Sequence, residues 1–233
     1  RMISRSARTA LCRGLLLVVT NAAVVSAAHV AAAANVAMAT TAAAHSTPLD
    51  RYLEQLKTLR VSFEQTLTDA RGRETQRAKG LLTVVRPGRF RWELTPLDTG
   101  APQLMVSDGR NLWFYDRDLE QVSVRPAASA LTATPATLLS STGDLRSVFK
   151  IATDGRRQQL DWVVVTPIAD DADFREARLG FAKGELRQMI LQDKLGQTST
   201  LIFQNATRNA PIPEADVTFV PPVGADVIGK PVD

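Results

Sequence analysis

The chain has 233 residues, 45% of them hydrophobic and 22% charged, with a formal net charge of +4. Four arginines before residue 14 supply that excess, since residues 1–44 hold no Asp or Glu and the remainder has 24 basic residues against 24 acidic ones. A neutral domain removes the main electrostatic argument for a nucleic-acid or anionic-membrane partner, and a single cysteine, Cys12, excludes a disulfide framework.

Residues 1–44 read as an export leader. Arg1, Arg5, Arg8 and Arg13 form a basic stretch, and an apolar run from Gly14 to Ala28 follows, which is the pattern of a secretory signal. The run falls short of the ~20 residues that span a bilayer. Small-x-small cleavage positions end at Ala28, Ala34, Ala39 and Ala44, and the sequence leaves the choice among them open. Leu11 stands before Cys12 where lipid attachment needs a small residue, so lipidation there is not expected. Residues 45–233, about 190 in number, suit one domain able to bury its own core.

The first element after the leader is a predicted helix. Leu49, Tyr52, Leu53, Leu56 and Leu59 recur at spacings of three and four, Thr47 suits the N-cap, and Pro48 suits the first helical position. The period then changes to two, with Val61, Phe63 and Leu67 alternating with Ser62, Glu64 and Thr66. From there turn signals punctuate the chain at Asp69-Ala70-Arg71-Gly72, Arg86-Pro87-Gly88, Asp108-Gly109, Asp154-Gly155, Lys183-Gly184 and Leu195-Gly196, as in an antiparallel sandwich or barrel. Phe90, Trp92 and Leu94 alternate with Arg89, Arg91 and Glu93, giving one wet face and one dry face. Residues 126–147 break the pattern: Thr134 and Pro135 start a short helix carrying Leu138 and Leu139, too short to stand without support from the sheet.

The inventory for catalysis is thin. His29 and His45 are the two histidines and both lie in or beside the leader, so neither a Ser-His-Asp nor a Cys-His arrangement nor a typical zinc site can be built in the domain. Asp170, Asp171 and Asp173 lack the spacing of a calcium loop and read as a solvated turn. Asp116, Asp118 and Glu120 read as the surface of a hairpin, and Asn205-Ala206-Thr207 as a chance sequon.

Several segments, taken together in this order and spacing, resemble one family. They are Ser62-Phe63-Glu64-Gln65, Gly80-Leu81-Leu82, Arg86-Pro87-Gly88-Arg89-Phe90-Arg91-Trp92, Val106-Ser107-Asp108-Gly109, Leu112-Trp113-Phe114-Tyr115-Asp116 with Leu119-Glu120-Gln121-Val122, Thr134-Pro135, and Phe219-Pro221-Pro222-Gly224. The pattern resembles the outer-membrane lipoprotein carrier proteins of Gram-negative bacteria, the LolA family, from about residue 48 to 227.

The resemblance implies a mainly β (α+β) fold: an unclosed antiparallel β-barrel with a concave apolar inside, capped by the N-terminal helix and short mid-chain lid helices. It implies a periplasmic chaperone that uses no cofactor, and the neutral charge of the domain, with no heptad or long exposed apolar run, leads us to expect a soluble monomer without metal. Such a carrier takes lipoproteins from an inner-membrane ABC transporter, shields their acyl chains and passes them to an outer-membrane lipoprotein receptor. Carried over by position, Leu53, Phe90, Trp92, Leu138 and Leu139 would line the acyl-chain cavity, and Arg86 would latch the lid through backbone carbonyls. Ala136 and Thr137 stand where the family can carry bulkier lid residues, which implies a looser closed state. The competing readings are a related open-barrel sensor or receptor of lipoproteins and, from another class, an exported lipid or glycan hydrolase.

Overall fold

The computed structural model describes residues 46–98, 100–130, 135–141, 143–170 and 172–232. The leader, Cys12, His29, His45, Thr134 and Asp171 lie outside the described residues.

Helix α1 spans Pro48–Glu54 and opens as its sequence dictates. The Thr47 hydroxyl accepts the Asp50 amide at 3.2 Å, while the Asp50 carboxylate accepts the Thr47 amide at 2.7 Å, so the two residues satisfy each other's backbone donors. The helix stops a turn earlier than the apolar stripe suggests. Leu56 lies beyond the C-cap, Gln55, and Leu59 already belongs to a strand, although both are buried. The strand wins because Thr58 onward is hydrogen-bonded on both sides, which a further helical turn would forfeit. Asn209 fixes the junction, accepting the Lys57 amide and donating to the Gln55 carbonyl, each at 2.8 Å.

Six strands follow: β1 (Thr58–Thr68), β2 (Glu74–Val85), β3 (Arg89–Pro96), β4 (Gln103–Asp108), β5 (Asn111–Asp116) and β6 (Gln121–Pro126). A 3₁₀ turn (Ala127–Ala130), helix α2 (Pro135–Ser140) and a second 3₁₀ turn (Leu145–Ser147) lead to β7 (Phe149–Arg157). The remaining strands are β8 (Leu160–Pro167), β9 (Phe174–Ala182), β10 (Glu185–Asp193), β11 (Thr198–Arg208) and β12 (Asp226–Ile228). They form one 12-stranded sheet in the order β12-β6-β5-β4-β3-β2-β1-β11-β10-β9-β8-β7. Each pairing is antiparallel except β12 with β6, and the two ends of the sheet are not joined to each other.

One expected turn is displaced. Asp154-Gly155 lies inside β7, where the register shifts between Thr153 and Arg156, and the chain reverses at Gln158 and Gln159 instead. Gly155 takes a φ of 71° there, so its freedom serves a bulge rather than a hairpin. Both glutamines take positive φ, 51° and 63°, as a two-residue hairpin turn requires.

The inner face of the sheet carries the main core. Val84, Leu82 and Gly80 of β2 stand opposite Phe90, Trp92 and Leu94 of β3, and Phe63 of β1 stands opposite Gly80 on the other side of β2. Gly80 is required there: an added Cβ would overlap the Phe63 ring and the Glu93 carbonyl oxygen. The Phe63 ring crosses that gap to pack on Trp92, centroids 4.7 Å apart.

On β4–β6 the back of the sheet is dry as well. Leu104, Val106, Trp113, Val122 and Val124 form a second core, sealed by Phe219 from the C-terminal segment. In β4 and β5 alternation therefore separates two cores, with Met105 and Leu112 on the side of the main one, whereas in β6 the alternate residues Ser123 and Arg125 are exposed. Asn111 anchors the end of that segment, exchanging two hydrogen bonds with the backbone of Val232 at 2.9 and 2.7 Å.

Candidate functional site

The site is the concave face and what covers it. Helix α2 is too short to persist alone and rests on β2 and β3. Ala136, Leu138 and Leu139 are each 0% exposed. These three join Leu53 of α1 and Phe90 of β3 in one apolar cluster, and Trp92 packs against it while remaining half-buried. The five apolar residues singled out in the sequence thus belong to one assembly built from three separate elements. Thr137 is buried too, and its carbonyl accepts both the amide and the hydroxyl of Ser141 at 3.0 and 2.7 Å, closing the end of α2.

Arg86 holds α1 and the lid together. It follows β2 directly and is joined to Pro87 by a cis peptide bond, and its own amide donates to the Lys57 carbonyl at 2.9 Å. The guanidinium reaches in two directions. Nη1 donates to the carbonyls of Leu53 and Leu56 at the end of α1, the latter at 3.0 Å. Nε and Nη2 both donate to the Ser141 carbonyl just past α2, the former at 3.1 Å. Burial pulls the guanidinium below its ordinary pKa, so the fork is partly withdrawn from water without losing its charge. The neighbouring Gly88 amide adds a 2.8 Å bond to the Ser140 carbonyl.

Two open clefts flank this junction. One of about 380 Å³ lies between α1 and the lid, lined by Asp50, Leu53, Arg86 and Leu145 among others. The other, about 270 Å³, lies between the Pro87-Gly88 turn and the segment carrying Leu145, Val148 and Phe149.

A further contact was not legible in the sequence. Arg146 of the second 3₁₀ turn forms a two-pronged ion pair with Asp50 at 2.7 and 2.8 Å. Chiefly through that hydrogen-bonded contact, and against some burial, the Asp50 carboxyl is held at about 2. The capping pattern from Thr47 to Asp50 could have marked Asp50 as ordered. Nothing local marks Arg146, which is 96 positions away.

Two of the acidic groups weighed as acid and base, Asp116 and Asp118, accept backbone amides, and one of those weighed for calcium, Asp173, faces an arginine. Asp116 accepts the amides of Asp118 and Leu119 at 3.0 and 3.2 Å, and Asp118 accepts the Ala101 amide at 3.0 Å. Asp173 faces Arg125 at 3.6 Å. Among the described residues no group of three or more His, Cys, Asp or Glu could hold a metal ion, and no helix is long and apolar enough to cross a membrane.

The family profile of the outer membrane lipoprotein carrier protein LolA matches residues 54–220. The chain belongs to the LolA family. An outer-membrane lipoprotein carrier protein of Dechloromonas aromatica is 40% identical over 190 residues, covering 80% of this chain and 90% of the relative. One of Methylobacillus flagellatus is 36% identical over 184 residues, covering 78% and 87%. Among solved structures, an uncharacterised conserved protein of Thermus thermophilus superposes with a TM-score of 0.49 at 15% identity, covering 78% of this LolA-family chain and 96% of its own.

Proposed function

We propose that this LolA-family chain carries lipoproteins across the periplasm. It takes them from a lipoprotein-releasing ABC transporter of the inner membrane and delivers them to a lipoprotein receptor of the outer membrane. Residues 1–44 act as the leader that exports it, and residues 45–233 work as one monomeric carrier domain. The transfer is non-covalent, so the chain is a carrier rather than an enzyme and uses no cofactor.

The observation that carries this reading is the apolar concave face covered by pieces that are not part of the sheet. A covering built from short helices and turns can leave without breaking a single strand pairing. Leu53, Phe90, Trp92, Leu138 and Leu139 then supply the lining for acyl chains, and Arg86 acts as the latch of the empty, closed state. The physical need is large, because each exposed methylene costs about 0.8 kcal/mol, and several long chains cost tens of kcal/mol to bring into water.

The test is mass spectrometry of the protein recovered from the periplasm. Intact acylated lipoproteins should accompany it in stoichiometric amount, and depleting it should strand outer-membrane lipoproteins at the inner membrane. Recovery of deacylated products, or of free protein from cells actively exporting lipoproteins, would refute the proposal.

A further inference from the structure

Arg86 accounts for only one fastening between α1 and the lid. It serves the C-terminal end of α1, through the Leu53 and Leu56 carbonyls. The Asp50–Arg146 pair serves the other end, where Asp50 occupies the third position of the helix. Asp50 precedes Leu53 by three residues, a rise of about 4.5 Å, so the two fastenings stand roughly one turn apart along α1. Both line the cleft of about 380 Å³ that separates α1 from the lid.

The two differ in physical kind. Arg86 donates to neutral carbonyls from a half-buried position. Asp50 and Arg146 bring together opposite full charges, and the Arg146 side chain is 42% exposed against 19% for Asp50. The carboxylate is already oriented by the Thr47 amide and hydroxyl, at 2.7 and 2.8 Å, so little order remains to be imposed on it when Arg146 docks. An exposed pair is also open to screening, whose range shrinks from ~10 Å at 0.1 M salt to ~3 Å at 1 M.

We propose that Asp50 and Arg146 form a second, salt-sensitive fastening that positions the turn Leu145–Ser147 over α1, so that ionic strength sets how readily the closed lid opens. Neither residue touches the ligand. Both are positioning residues that act through the lid, and the consequence for acyl-chain loading rests on the carrier reading above.

The test follows hydrogen exchange of the amides in 135–141 and 143–150, in the full carrier chain, at about 0.02 M and about 0.5 M salt. Arg146→Gln removes the cation, and Asp50→Asn removes the anion while keeping an acceptor for the helix cap. Each should speed lid exchange roughly two- to fivefold at low salt, as expected for an exposed pair, and the double variant should add nothing to either single one. The unaltered chain should approach the variants at high salt. Arg146→Lys should keep the salt response with a smaller rate effect, because it retains the charge without the fork. Arg86→Leu should also speed exchange but leave the salt response in place. Equal salt responses in the unaltered chain and in Arg146→Gln would overturn the proposal, as would unchanged lid exchange in Arg146→Gln at low salt. Lipoprotein uptake by the same proteins is measured separately. If exchange shifts as described and no variant or parent takes up lipoprotein, the fastening stands and the carrier reading falls.

Discussion

Replacing Arg86 by leucine isolates the contribution of one fastening to lid closure. The guanidinium donates to three carbonyls, those of Leu53, Leu56 and Ser141, and no other side chain is needed to span α1 and α2 at that point. A hydrogen bond from a charged donor contributes roughly 1.5–3 kcal/mol when buried. The carbonyls released here border an open cleft and can rehydrate, so a net loss of about 2 kcal/mol for the whole fork is the reasonable magnitude. That changes the ratio of closed to open lid about 30-fold. A ligand that binds only the open form would gain apparent affinity by up to the same factor, because less of its binding free energy goes into opening. Arg86→Leu should therefore load as readily as the parent and release more slowly. The assay is transfer from preloaded carrier to purified receptor, followed by the appearance of receptor-bound lipoprotein. Arg86→Lys should fall between the two, since it keeps the charge but not the planar fork. Equal transfer rates for the parent and Arg86→Leu would refute the latch argument and leave carriage itself untouched.

Phe90 is 1% exposed inside the apolar cluster, so Phe90→Glu should cost several kcal/mol unless the carboxyl protonates; uptake from the inner membrane should fall further than stability measured by urea unfolding. In Gly80→Ala the new methyl would meet the Phe63 ring and the Glu93 carbonyl, and the loss should exceed about 2 kcal/mol, read as a lower urea midpoint at unchanged m-value. Asp50 has its carboxyl depressed from the ordinary 3.8 to about 2, so its pair with Arg146 contributes fully above about pH 4 and is lost as pH falls through 2. Because Arg146 is well exposed, that contribution is no more than about 1 kcal/mol. The difference in lid exchange between the parent and Asp50→Asn should shrink across that window and vanish below it.

Much of the fold follows from local chemistry that the sequence displays openly. The Thr47-Pro48 start, the alternation in β1 and β3, and the Gly-bearing turns all act over a few residues, so they can be read without knowing the partners. Arg86, Phe90, Trp92, Leu53, Leu138 and Leu139 were recognisable through family likeness, and the structure brings the apolar five into one cluster beside the arginine. What escaped the sequence depends on distant pairing. Leu59 fits a helical stripe, and only its pairing with Val84 and Arg208 makes it a strand residue. Asp154-Gly155 has the composition of a hairpin turn, yet the partner strand fixes the reversal four residues later. The second core on β4–β6 needs Phe219, and the Asp50–Arg146 pair joins residues with no local signal between them.

The packing of the concave face fits a carrier better than an open, preformed pocket would. Three long acyl chains buried without any opposing cost would exceed the practical affinity ceiling of about −18 to −21 kcal/mol, and such a carrier would never release its load. A closed state that buries its own leucines and phenylalanines offsets part of that gain, because those contacts are lost whenever ligand enters. Leu138 and Leu139 are each 0% exposed; on the carrier reading proposed above they would act twice, supplying apolar lining and, through their burial in the empty protein, opposing occupancy. The fastenings through Arg86 and through Asp50–Arg146 act in the same direction but are polar, so they can be tuned by substitution without roughening the apolar surface.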